Sequence, residues 1–135
     1  MIAPVRIYSE AQAEQGKQVY AQNCSACHGD QLQGKSAPAI AGTAFLKKAH
    51  LLGWSVADMR NIVVTQMPRD NPGSLSPDQY AAVIAFLLDK DCYPAGQSKF
   101  PTKATDEIKN AQLHPVKAAD KTKDTGTCPV QQASK

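Results

Sequence analysis

The chain has 135 residues, 42% of them hydrophobic and 20% charged, which suits one compact domain with a modest core and leaves little room for a second. A formal charge of +3, with 15 Lys and Arg dispersed along the chain, argues against a nucleic-acid-binding face, which needs clustered basic residues. The longest wholly apolar or aromatic run, Tyr80 to Leu88, is about half of the ~20 residues a spanning helix requires, so the expectation is a soluble chain without a membrane span.

Met1 to Ser9 lacks the basic start and long apolar stretch of a secretory signal, so an exported form would have had its signal removed from this chain. From Ser9 a helix is predicted over residues 10–22. Ser9 is its cap, Gln12 completes a capping box, and Glu10 sits near the positive helix end. Ala13, Gly16, Val19 and Tyr20 recur at spacings of three and four, which makes one narrow face with a glycine notch suited to close helix packing. Residues 24–42 contain four Gly or Pro and no sustained period, and read as a long ordered loop, a kind of segment that usually holds something.

That loop opens with Cys24-Ser25-Ala26-Cys27-His28. The two-residue spacing lets both thiols reach the vinyl groups on one edge of a haem while the adjacent imidazole reaches the iron. A zinc site would want a second ligand pair, and a thioredoxin-like pair would want a preceding strand; neither context is present. One covalently attached haem c is therefore expected. The following Gly29-Asp30-Gln31-Leu32-Gln33-Gly34-Lys35-Ser36 satisfies the P-loop pattern by letter. It is rejected, because that loop works only between a buried strand and a helix, and here a haem motif precedes it and Pro38 follows. Lys35 is read as a surface charge.

Thr43 to Ala49 is a short helix candidate. Ser55 and Asp58 then open a firmer helix that runs through Met59, Ile62 and Val63 to about Gln66 and ends at Met67-Pro68. Ser76 as cap, Pro77 at the first position and Gln79 give a strong start to a helix ending near Asp89. It is apolar nearly all round from Tyr80 to Leu88, as the best-buried helix of a small domain would be. Beyond Cys92 the chain turns polar and is expected to bury little; a short helix over about 105–113 is the one element predicted there. No segment reads as a sheet.

On the residues alone, a second iron ligand would be a thioether or an imidazole, which leaves Met59, Met67, His50 and His114 open. Met59 lies mid-helix among apolar residues and reads as core filler; His50 and His114 read as solvated. Met67 stands where a helix gives way to a Pro-rich loop. Trp54 either donates its indole N–H to a haem propionate or fills the core, and core packing is the expectation. Cys92 and Cys128 remain after the haem motif takes its two thiols. In an oxidising compartment an even remainder favours a disulfide closing roughly 37 residues, which would constrain the unfolded chain by about 3 to 4 kcal/mol, with two free thiols as the alternative. Lys47, Lys48 and Arg69 are possible edges of a docking surface but read individually as solvated charges.

Residues 10–96 resemble a class I c-type cytochrome. Gly16 and Tyr20 match that family's glycine and aromatic on the N-terminal helix, and Phe86 its aromatic on the C-terminal helix. Pro38 matches the haem-loop proline, and Met67-Pro68 the distal methionine and proline. The resemblance implies an all-α fold of three to five helices around one haem, with His28 and Met67 as axial ligands, and a cytochrome domain over 1–96. The remaining 97–135 would be a polar extension, stapled on by the Cys92–Cys128 disulfide. Gln33-Gly34, Phe45-Leu46, Trp54, Met67-Pro68, Pro72-Gly73-Ser74-Leu75-Ser76 and Pro94-Ala95-Gly96 are similar to cytochromes serving periplasmic quinoprotein alcohol or sugar dehydrogenases. That implies a periplasmic single-electron carrier rather than an enzyme. It would pass electrons from a dehydrogenase to an oxidase or another cytochrome through transient contacts. A subunit of a stable molybdenum or flavin dehydrogenase complex is the alternative, and a ligand-binding or catalytic haem protein a more distant one.

Overall fold

The computed structural model describes residues 6–24, 28–29, 43–68, 70–91 and 93–114. Five helices occur among them: α1 (Glu10–Asn23), α2 (Thr43–Leu51), α3 (Val56–Gln66), α4 (Pro77–Lys90) and the single turn α5 (Asp106–Lys109). The only β-type pairing among the described residues is an isolated antiparallel bridge between Ser55 and Gln112. No helix there is long and apolar enough to cross a membrane.

Local sequence explains where the helices begin. At α3 the Ser55 side chain accepts from the Asp58 N–H while the Asp58 carboxylate accepts from the Ser55 N–H, and Ser76 and Gln79 form the same reciprocal pair at α4, where Pro77 occupies the first turn. At α1 only half of the expected box forms. The Ser9 hydroxyl accepts from the Gln12 N–H at 3.2 Å, but the Gln12 amide is drawn away to the backbone of Phe100, donating to its carbonyl at 3.1 Å and accepting from its N–H at 2.6 Å. Gln12 is buried there, so a polar side chain in the core has both ends of its amide paired.

The core is built on the contact between α1 and α4. Every residue from Tyr80 to Leu88 is buried, as a helix apolar all round requires. Against it α1 sets Ala13, Gly16 and Tyr20. A Cβ at Gly16 would lie 1.8 Å from the Ala82 carbonyl oxygen and 2.9 Å from the Phe86 Cβ, so the two backbones touch at this residue. Beside it the Tyr20 and Phe86 rings stack in a tilted pair with centroids 5.3 Å apart.

The segment after Cys92 buries more than its polar composition predicts. Tyr93, Phe100, Ile108, Ala111 and Leu113 all belong to the core. They do so singly, with exposed polar residues between them, and the backbone is secured by main-chain bonds to earlier elements. Gly96 N–H donates to the Tyr8 carbonyl at 2.8 Å, Val56 N–H to Ala111 at 2.7 Å and Leu113 N–H to Trp54 at 2.9 Å. An Arg60 guanidinium nitrogen donates to the Thr102 carbonyl at 2.8 Å. The helix expected over about 105–113 shrinks to Asp106–Lys109, because residues 111–113 pair with 54–56 instead.

Two tyrosines close the end of this segment. The Tyr8 hydroxyl donates to the Tyr93 carbonyl, and the Tyr93 hydroxyl accepts from the His114 N–H at 3.1 Å. Burial pushes the Tyr93 phenol up to about 12, with the His114 backbone bond opposing the rise and the Asp91 charge adding to it. Burial raises Tyr8 as well, reinforced by the Asp89 carboxylate.

Gly16→Ala is expected to force α1 from α4 and destabilise the fold by about 1–3 kcal/mol or more, read as a lower denaturant midpoint at unchanged slope. The phenols give a pH dependence of defined sign. An unfolded phenol ionises near about 10, so their contribution is complete below that pH. Above it the unfolded chain has released protons that the folded chain keeps, and stability falls as pH rises towards about 12, where Tyr93 itself ionises. Equilibrium denaturation at stepped pH should show Tyr93→Phe losing less stability than wild type across this window.

Candidate functional site

The first candidate ligand follows from the way α1 ends. The Cys24 N–H donates to the Tyr20 carbonyl at 2.8 Å, and the His28 N–H to the Cys24 carbonyl at 3.0 Å, so His28 lies one helical turn beyond Cys24. Cys24 is half-buried and packs on the core, and His28 is buried. The turn then breaks at Gly29, whose φ of 90° suits glycine. The Gly29 carbonyl accepts from the Tyr20 hydroxyl at 2.6 Å. One α1 side chain thus packs its ring on α4 and holds, through its oxygen, the residue after the imidazole. Cys27 and Pro38 lie outside the described residues, as do Arg69, Cys92, Cys128 and residues 30–36 of the P-loop-like stretch.

Met67 closes α3. Its N–H donates to the Val63 carbonyl at 3.1 Å, and its carbonyl accepts from the Tyr80 hydroxyl of α4 at 2.6 Å. The chain then turns through Asn71 N–H to the Pro68 carbonyl at 2.9 Å and Ser74 N–H to Asn71 at 3.3 Å, with Gly73 at a φ of 76°. Met67 itself is half-buried. The structure therefore ties the His28 segment to α1 and Met67 to α4, and these are the two helices that cross at Gly16.

Of the other candidates, Met59 is core filler as expected, 5% exposed. His50 is exposed, with Nδ1 3.2 Å from the Leu113 carbonyl. His114 is not solvated as expected. It is buried, its ring 5.8 Å from that of Tyr93 and 6.4 Å from that of His50, because its backbone is bonded to the Tyr93 hydroxyl. Trp54 is half-buried against the core, its carbonyl accepting from Leu113. Sequence reasoning missed the tyrosine hydroxyls of residues 20 and 80. Their signal was a phenol at positions of buried helices where phenylalanine would supply the same apolar ring.

The residues present fit a haem. Cys24 supplies a thiol one turn from an imidazole, and the Met67 thioether is the soft donor that suits iron cycling between two oxidation states. A large flat apolar group also needs apolar walls that protein leaves uncovered. Phe45, Trp54 and Val63 are only partly buried on the core, Ile62 and Val64 are half-exposed, and Leu51 and Leu52 are 86% and 58% exposed. No group of three or more His, Cys, Asp or Glu able to hold a bare metal ion occurs among the described residues.

The family model described as cytochrome c oxidase, cbb3-type, subunit III matches residues 11–87, more than half of the chain. The chain belongs to this family of c-type cytochrome domains, and its described residues are helical. No curated protein matches it. Among solved structures it is similar to the sulfane dehydrogenase SoxCD from Paracoccus pantotrophus, at 26% identity and a TM-score of 0.48 over 64% of this chain and 49% of that one. It is also similar to cytochrome cL from the marine methylotroph Methylophaga aminisulfidivorans, at 18% identity and 0.46 over 79% and 70%. Cytochrome cL from Hyphomicrobium denitrificans matches at 18% and 0.47 over 78% and 63%. The chain spans about half the length of the SoxCD chain.

Tyr20→Phe keeps the ring on Phe86 and removes only the bond to Gly29. Amide hydrogen exchange at His28 and Gly29 should then accelerate about 5- to 10-fold, the weight of one net hydrogen bond, while the α4 core amides exchange as in wild type.

Proposed function

We propose that the chain carries one haem c, attached through Cys24 and Cys27 with His28 and Met67 as axial ligands, and serves as a periplasmic one-electron carrier. It takes electrons from a dehydrogenase, best a quinoprotein acting on alcohols or sugars, and delivers them to an oxidase or another cytochrome. The observation that carries this reading is the Cys24-Ser25-Ala26-Cys27-His28 motif at the end of α1, with His28 one turn beyond Cys24 and buried. Membership of a c-type cytochrome family supports it.

When bound, haem iron supplies a single-electron ferric–ferrous couple. The chain's part is to hold it. Cys24 and Cys27 would tether the ring through their thiols, and the His28 imidazole and Met67 thioether would occupy the iron so that oxygen or peroxide finds no ready place. Both ligand segments are tied by hydrogen bonds to rigid helices, so they need to move little between oxidation states. Phe45, Trp54 and Val63, partly buried on the core, would supply apolar surface to keep water from the ring. The partner surfaces would be small, as brief redox encounters require. Pro38 lies near the proximal ligand in this reading, and Trp54 is a wall of the site.

Residues 1–96 form the cytochrome domain in this reading and 97–135 an extension tied to it by a Cys92–Cys128 disulfide, suited to an oxidising compartment. The family match ends at residue 87, before that boundary, and Phe100, Ile108, Ala111 and Leu113 beyond it pack in the same core, so the extension is an addition to the family's length that shares the domain's packing.

Optical spectra of the oxidised and reduced protein test the site. Low-spin spectra that carbon monoxide leaves unchanged, with a sulfur-to-iron charge-transfer band, are expected of the wild type. Met67→Ala should lose that band and bind carbon monoxide. A carbon-monoxide-sensitive wild type would move the function to ligand binding or catalysis.

A further inference from the structure

Both main-chain polar groups of Met67 are committed, and to different helices. The N–H belongs to the last turn of α3 through Val63, and the carbonyl is held by Tyr80 in the first turns of α4. The Tyr80 bond is the shorter, at 2.6 Å, and it joins residues 13 apart in sequence across the loop that follows Met67. The tyrosine is 5% exposed, so water competes poorly for its oxygen. Its ring also borders an open groove of about 330 Å³ shared with Arg60, Val64, Leu75 and Pro101. The ring is buried beside this groove, and its hydroxyl bond to Met67 is the polar link between it and the loop.

We propose that Tyr80 is a positioning residue for the sixth iron ligand, its hydroxyl holding the Met67 carbonyl so that the thioether stays on the iron and incoming ligands stay off. This rests on the reading that Met67 ligates iron. The Tyr80 hydroxyl is bonded to the Met67 main chain, so its action is through Met67. It acts by setting the fraction of molecules in which the Met67 loop is open, and an external ligand binds in proportion to that fraction. Removing one neutral hydrogen bond changes such a fraction by about 3- to 10-fold. Tyr20 does the equivalent for the segment after His28, from α1 rather than α4.

The test titrates imidazole into the ferric, haem-loaded protein and follows the sulfur-to-iron band. Tyr80→Phe should keep the band without imidazole and bind imidazole about 3- to 10-fold more tightly than wild type. Tyr93→Phe loses another tyrosine hydroxyl, the one bonded to the His114 backbone, and should lower the unfolding midpoint while leaving imidazole affinity unchanged. Wild-type affinity in Tyr80→Phe, with the band retained, overturns the positioning role and leaves Met67 ligation standing. An equal rise in Tyr93→Phe also overturns it, since the effect would then be global loosening. Absence of the band in wild type, or its survival in Met67→Ala, removes the ligand reading and this proposal with it. Were Tyr80→Phe unable to hold haem, difluorotyrosine at position 80 takes its place, a stronger donor of similar shape while its more acidic phenol is kept protonated. At a pH below that ionisation it should bind imidazole more weakly than wild type; unchanged affinity there overturns the proposal.

Discussion

At the crossing of α1 and α4 the backbones approach until a methyl group on residue 16 would sit 1.8 Å from the Ala82 carbonyl oxygen. That approach brings the rings of Tyr20 and Phe86 into contact and makes the helices one rigid body. The rest of the site is referred to this pair. Tyr20 reaches from α1 to the residue after His28, and Tyr80 reaches from α4 to Met67. With about 1.5 Å of rise per residue, Tyr80 and Phe86 stand about 9 Å apart along α4. The anchor of one candidate ligand is thus set relative to the helix crossing by α-helical geometry alone.

A different solution holds α1 itself. Its face toward the core offers only Gln12, Ala13, Gly16 and Tyr20 as buried residues, too little apolar area to hold a 14-residue helix by burial. Polar bonds from distant segments make up the difference. The Gln12 amide pairs both ways with Phe100, the Tyr8 hydroxyl with Tyr93, and an Arg6 nitrogen donates to the Ala95 carbonyl at 2.8 Å. The chain after α4 returns across the start of the domain and completes its hydrogen bonding. This is how a segment of low apolar content contributes to a core it could not form alone.

The division between what could and could not be read in the sequence follows the range of the interactions. Helices α3 and α4 announce themselves through Ser55 with Asp58 and Ser76 with Gln79, pairs three residues apart that function without the rest of the molecule. The haem motif is equally local, five consecutive residues whose chemistry is in their spacing. The Gln12 side chain had the right type for its local box and was taken instead by a residue 88 positions away. His114 and the 111–113 stretch failed as expectations for the same reason, since their burial depends on Tyr93 and on residues 54–56. Position-specific roles of Tyr20 and Tyr80 were beyond sequence because a tyrosine on an apolar helix shows only that its oxygen needs a partner, not which one.

The side chains that remain half-covered carry the last step. Phe45, Trp54 and Val63 pack on the core with one side and leave the other to be covered, while Leu51 and Leu52 are exposed outright. In a chain this short, surface-to-volume scaling leaves little spare burial, so uncovered apolar groups of this size weaken the fold unless something else takes them out of water. A porphyrin held at the end of α1 would do so, and its binding energy would then add to the stability of the folded state by mass action. Covalent attachment, as proposed, would make that contribution permanent. On this argument the cofactor is a member of the core as well as the seat of the chemistry. Apolar contacts that would exclude water from the iron would then also keep this small helical domain folded.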